Sequence, residues 1–78
     1  MTEADLLVGF SDNLEYMMKK HGVNQSELSR ESGVSREAIN KYLNCQRMPS
    51  LKAIVNLSYA LNCDLDDLVP FTTTLIID

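Results

Sequence analysis

Arg36, Glu37, Asn40 and Lys41 bring two cations, a carboxylate and a carboxamide into six consecutive positions. Such groups hydrogen-bond in fixed directions. A guanidinium suits the O6 and N7 acceptors of guanine, a carboxamide suits N6 and N7 of adenine, and a carboxylate can accept from N4 of cytosine. Each good bidentate contact is worth about 1–3 kcal/mol of discrimination between bases. Bond-making chemistry is poorly provided for by comparison. His21 is the only histidine, and no Gly-rich phosphate loop or nucleophile–base set stands out, so an enzyme is not expected. Cys45 and Cys63 are the only cysteines. They are too few for a zinc site with four ligands at paired spacings, and no disulfide framework is expected. Neither a metal nor any other cofactor is called for. Cys63 falls at an apolar position and reads as a small core residue. Cys45 reads as more exposed, with only Arg47 nearby to stabilise a thiolate, so redox sensing is not expected.

To share one surface, the polar side chains must lie on one helix, and the local signals supply it. Ser35 is an N-cap, and Ala38, Ile39, Tyr42 and Leu43 form an apolar stripe over a helix from about Arg36 to Leu43. Glu37, Asn40, Lys41 and Asn44 follow the i, i+3, i+4, i+7 rule on the opposite side. A preceding helix starts near Gln25, where the Asn24 side chain can accept from the first turn and Glu27 can bond back as in a capping box. It stops at Gly33, which enters the left-handed conformation of a helix end without the steric cost of a Cβ. Val34 turns inward to seal the corner. Two short helices separated by only three or so residues have the form of a helix-turn-helix, whose second helix is shaped to enter the major groove of DNA.

The run from about Phe10 to Val69 resembles the Cro/C1-type helix-turn-helix repressors, also called the XRE family. In that family a helix-2 Gln, a small inward residue four positions later, a turn Gly, a helix-3 aromatic and a later Pro-Ser recur; here they are Gln25, Ser29, Gly33, Tyr42 and Pro49 with Ser50. Two positions depart from the pattern. Ser29 stands where alanine is usual, and Cys45 stands where the family has the glycine after helix 3. Asn44 is expected to take over that cap, being of the non-glycine type best suited to the left-handed region. The resemblance implies an all-α fold, a compact five-helix lambda-repressor-like DNA-binding domain.

The chain has 78 residues and a formal net charge of −4. That length reads as one domain, near the size at which stability is marginal and association helps. No apolar run is long enough for a membrane span and no signal peptide is evident, so a cytoplasmic location is expected. The negative charge is the main objection to binding a polyanion. Its distribution answers much of the objection, because all seven lysines and arginines lie between Lys19 and Lys52, alongside only three acids, Glu27, Glu31 and Glu37. A local field of one sign, rather than net charge, decides which surface approaches DNA. Any single charge there could equally be solvating a helix face.

The remaining elements frame the central pair. Phe10, Leu14, Met17 and Met18 follow helical spacing, which predicts helix 1 over about Ser11 to His21, ended by Gly22. Leu6, Leu7 and Val8 either extend that helix or cover apolar surface. Ser50 caps a fourth helix whose inward stripe is expected at Leu51, Ile54, Leu57 or Ser58, and Leu61, with Asn62 as left-handed terminator. Asp64 caps a short fifth helix carrying Leu65, Leu68 and Val69, ended by Pro70. The domain is thus expected over residues 1–70, with the helix-turn-helix unit at about 25–43. Residues 71–78, FTTTLIID, are rich in β-branched types and read as an extended C-terminal tail. Three fates are open to it: packing back on the helices, partial order, or pairing with a second copy as a dimerisation strand, which is the one favoured.

Arg36, Glu37 and Asn40, with Lys41 beside them, are the expected base-contacting residues. Glu37 has two readings: a carboxylate that penalises bases lacking a donor, or a helix N-terminal acid that merely complements the dipole. Gln25, Ser26, Ser35, Asn44 and Arg47 are the expected phosphate contacts, Gln25 because it matches the family's recurring Gln. The resemblance further implies a homodimer on a two-fold operator in double-stranded DNA. The function expected is that of a small sequence-specific transcriptional regulator, a repressor in its simplest form. The alternative is a protein-interaction helix-turn-helix, such as an antitoxin or adaptor, whose acidic ends bind a basic protein partner.

Overall fold

The first helix begins at the very start of the described chain. In the computed structural model, which describes residues 2–70, the Thr2 hydroxyl accepts from the Asp5 N–H at 3.2 Å and the Asp5 carboxylate accepts from the Thr2 N–H at 3.0 Å. This reciprocal cap launches α1, Glu3–His21. The helix therefore starts eight residues before the predicted Ser11. Leu6 and Leu7 extend it and are half-buried.

Three further helices and a short turn follow: α2 Gln25–Ser32, α3 Arg36–Leu43, α4 Leu51–Ala60 and a 3-10 turn, Leu65–Asp67. Leu14, Leu28, Ile39, Leu57, Leu61 and Leu68, drawn from all of these elements or their flanks, are wholly enclosed. Phe10 of α1 and Tyr42 of α3 meet edge to face, ring centroids 5.7 Å apart at 80°. That geometry suits the opposed charges of ring edge and ring face. Buried Ser11 donates to the Leu43 carbonyl at 2.9 Å, and Asn13 donates to the Leu68 carbonyl at 3.1 Å. So α1 satisfies polar ends of two other elements while its apolar side fills the core.

Three expectations need correction. Leu51 is 72% exposed, and the inward stripe of α4 instead runs through Ala53, Leu57 and Leu61, with Ile54 half-buried and the Ser58 hydroxyl turned back to the Val55 carbonyl. The fifth helix is the single 3-10 turn, so the helical count is four α-helices plus that turn. The Asp67 carboxylate accepts the Asp64 N–H at 2.9 Å at its start, the Val69 N–H reaches the Leu65 carbonyl at 3.0 Å, and Pro70, which has no N–H to donate, ends it there. Finally, Asn44 does not take the left-handed position after α3. Its φ is −98°, and Cys45 occupies the left-handed region at φ 57°.

The Cys45 N–H reaches the Tyr42 carbonyl at 3.2 Å and the Gln46 N–H reaches that of Lys41 at 2.8 Å, which closes α3 in a Schellman motif around a cysteine. Asn62, at φ 50°, closes α4 the same way, as predicted. Cys63 is half-buried against the core; burial, and then Asp67 and Asp64, push its thiol pKa up. The proposed C-terminal tail, residues 71–78, lies outside the described residues.

Candidate nucleic-acid interface

The helix-turn-helix forms as its local signals require. At the head of α2 the Asn24 side-chain oxygen accepts from the Glu27 N–H at 2.8 Å, and the Glu27 carboxylate accepts from the Asn24 backbone N–H at 3.2 Å. At its end Gly33 sits at φ 76° and bonds the Ser29 carbonyl at 2.9 Å. Val34 is buried beneath the corner, and Ser35 caps α3 by accepting from the Ala38 N–H at 3.1 Å. Ala38, Ile39 and Tyr42 are buried and Leu43 half-buried. The opposite side of α3 is thereby held open to solvent.

Packing α2 against α3 brings their N-terminal turns together around an open cleft of about 690 Å³. It is lined by Asn24, Gln25, Ser26, Arg36, Glu37 and Asn40. Of the predicted base-contacting residues, Arg36, Glu37 and Asn40 share this surface, and so do two predicted phosphate contacts, Gln25 and Ser26. Two helix N-termini face the same space, and their unpaired N–H groups favour an anion there. Asn24 was missed. Its side-chain oxygen is engaged as a cap but its side-chain N–H₂ is not, and the position just before the recurring Gln25 is the available signal.

The remaining predicted residues lie outside the cleft, and two have partners of their own. Lys41 is half-buried and its ammonium stands 3.5 Å from the Glu37 carboxylate, one helical turn away. Each therefore carries a partly compensated charge. The Asn44 amide donates to the Asn40 backbone carbonyl at 2.8 Å and to the Asn40 side-chain oxygen at 2.9 Å. Its amide is thus committed to Asn40. Ser35 and Arg47 are exposed at the two ends of α3, and among the described residues Arg47 has no ion-pair partner.

Comparison with known proteins bears directly on this geometry. Residues 14–68 match the helix-turn-helix family by sequence. The fold is similar to the crystal structure of the restriction-modification controller protein C.AhdI from Aeromonas hydrophila. The two are 31% identical with a TM-score of 0.76, over 80% of this chain and 94% of that one. No curated protein matches the chain. The sequence match spans the cleft-forming helices and most of the core that supports them, and the structural match covers most of the chain: the chain belongs to the Cro/C1-type, or XRE, helix-turn-helix family of DNA-binding transcriptional regulators.

Proposed function

We propose that the chain acts as a sequence-specific repressor that places α3 in the major groove of a two-fold operator as a homodimer. The observation that carries this reading is the convergence of Arg36, Glu37 and Asn40 with Gln25 and Ser26 on one solvent-facing surface at two helix N-termini. Base-reading groups come from α3. Phosphate-holding groups come from the start of α2, from Ser35 and from Arg47. The Glu37–Lys41 pair supports a selective rather than merely adhesive surface: a carboxylate in the groove lowers affinity for every site, and its return is rejection of bases that offer no donor. Asn44 acts through Asn40, whose amide it orients, rather than on phosphate.

Binding at a promoter blocks polymerase, the simplest form of repression, and sets the protein's work in the cytoplasm. The likeness to a restriction-modification controller supports a regulatory role, and the promoter occupied is the chain's own or that of a mobile element.

Binding to genomic fragments at several salt concentrations tests the proposal. The expected result is operator-selective binding whose log K falls with log salt by about 0.9 per phosphate neutralised. Arg36→Ala should change base preference, with a cost of about 1–3 kcal/mol at one position, whereas Arg47→Ala should weaken all sites alike and flatten the salt slope by about one per half-site. Absence of binding to any genomic DNA at low salt sinks the proposal.

A further inference from the structure

On another side of the molecule, a groove of about 290 Å³ is lined by apolar side chains alone. Leu6 and Phe10 of α1, Met48 of the loop after α3, Leu51 and Ile54 of α4, and Val69 form most of it, and Pro70 completes the rim. Leu51 is 72% exposed and Met48 39% exposed. Large apolar side chains gathered on a surface in this way mark a place where something docks.

The chain itself indicates what. Pro70 packs so closely on α1 that a Cβ on Gly9 would stand 2.6 Å from its ring carbons. The backbone is therefore pinned at the groove's edge, and the eight residues that continue from that point are FTTTLIID, with its one charge at the last position. We infer that residues 71–77 of the same chain seat in this groove and complete the core over Leu51 and Met48. Period-two alternation puts Phe71, Leu75 and Ile77 on one side of an extended segment. Eight extended residues reach about 26 Å, so the first few suffice to cross a groove of this size. Attachment at the rim gives the segment an effective concentration in the millimolar range, ahead of any second copy at ordinary protein concentrations. No strand edge exists among the described residues for the segment to pair with, so side-chain burial is the contact available here.

Limited chymotrypsin digestion of the full chain tests this inference independently of DNA binding. Cleavage after Phe71 and Leu75 should be slow in the native protein and independent of protein concentration. In Leu51→Asp it should accelerate at least about tenfold, because one apolar wall of the groove is lost. Leu51 is exposed, so the fold should survive; Met48→Asp gives a second reading, and circular dichroism verifies that each variant is folded. Equal cleavage rates in native protein and both folded variants overturn the inference. So does protection that grows with protein concentration, which would assign the groove to a second copy.

Discussion

Two adjacent residues at the end of α3, Asn44 and Cys45, do different work from neighbouring residues of similar polarity. The Asn44 amide holds the Asn40 side-chain oxygen at 2.9 Å, which leaves the Asn40 N–H₂ free to point away from the helix. If Asn40 reads adenine through N6 and N7, its orientation decides the match. Asn44→Ala should therefore lower discrimination at one operator position by about 1 kcal/mol while leaving binding to random DNA nearly unchanged, measured by competition titration. A phosphate role for Asn44 predicts the reverse, a uniform loss. Cys45 carries a different burden, a left-handed backbone at φ 57° with a Cβ present. That conformation costs about 1–2 kcal/mol in a residue with a side chain. Glycine removes the cost but gives back some of it as unfolded-chain entropy. Cys45→Gly should raise stability by about 0.5–1 kcal/mol, a rise of several degrees in a thermal melt at this size.

At the level of elements, the helix-turn-helix was legible because its signals are local. Asn24 with Glu27, Gly33 and Ser35 each act within three or four residues, and each forms the bond its type implies. The start of α1 depends on an equally local pair, Thr2 and Asp5, but the apolar stripe that marks the helix begins in earnest only at Phe10. Leu51 was misplaced for a different reason. The spacing of α4 admits two phases, through Leu51 and Ile54 or through Ala53 and Leu57, and only the tertiary neighbours choose between them. The links Glu37–Lys41 and Asn40–Asn44 are not specified by spacing, because four polar side chains on one exposed face can equally turn to each other or to DNA.

The α1 cap makes a prediction in pH. Hydrogen bonds from the backbone N–H and then the hydroxyl of Thr2 hold the Asp5 carboxyl below its ordinary value of 3.8. A depressed carboxylate contributes stability that is fully present above the unfolded pKa and is lost as pH falls through the folded one. Hydrogen exchange at the Asp5 and Leu6 amides, corrected for intrinsic rates, should show the first turn loosening only below about pH 3.8. Asp5→Asn should abolish that dependence. Further along α1, Gly9 gives up about 1 kcal/mol of helix propensity relative to alanine, and the contact with Pro70, from the opposite end of the described chain, is the reason. Gly9→Ala should thus leave the unfolding free energy within about 1 kcal/mol of native, since propensity gained offsets packing lost. It should nevertheless speed chymotrypsin cleavage after Phe71, because Pro70 must move off α1.

Across the whole molecule, charge is sorted so that one region can approach DNA despite a net charge of −4. Every lysine and arginine lies between Lys19 and Lys52, and among the described residues the acids outside that span belong to α1 and to the stretch around the 3-10 turn. One copy presents a single α3 of eight residues, too small a reading head to select a site among a genome's competitors. In the proposed homodimer a two-fold axis sets two α3 helices about 34 Å apart, one turn of DNA, so both can face the same side of the duplex. Once the first copy is bound, the second binds as if intramolecularly, which adds about 10²–10⁴ to the affinity. That gain depends on rotational phase as much as on distance. Inserting about five base pairs, half a turn, between operator half-sites turns the second half-site to the opposite side of the helix, and affinity should fall by about two orders of magnitude. Inserting about ten restores the face but doubles the separation, and should not rescue binding in so small a dimer. Gel-shift titration of the three operators separates these outcomes: equal affinity on all three would mean that each copy reads its half-site alone.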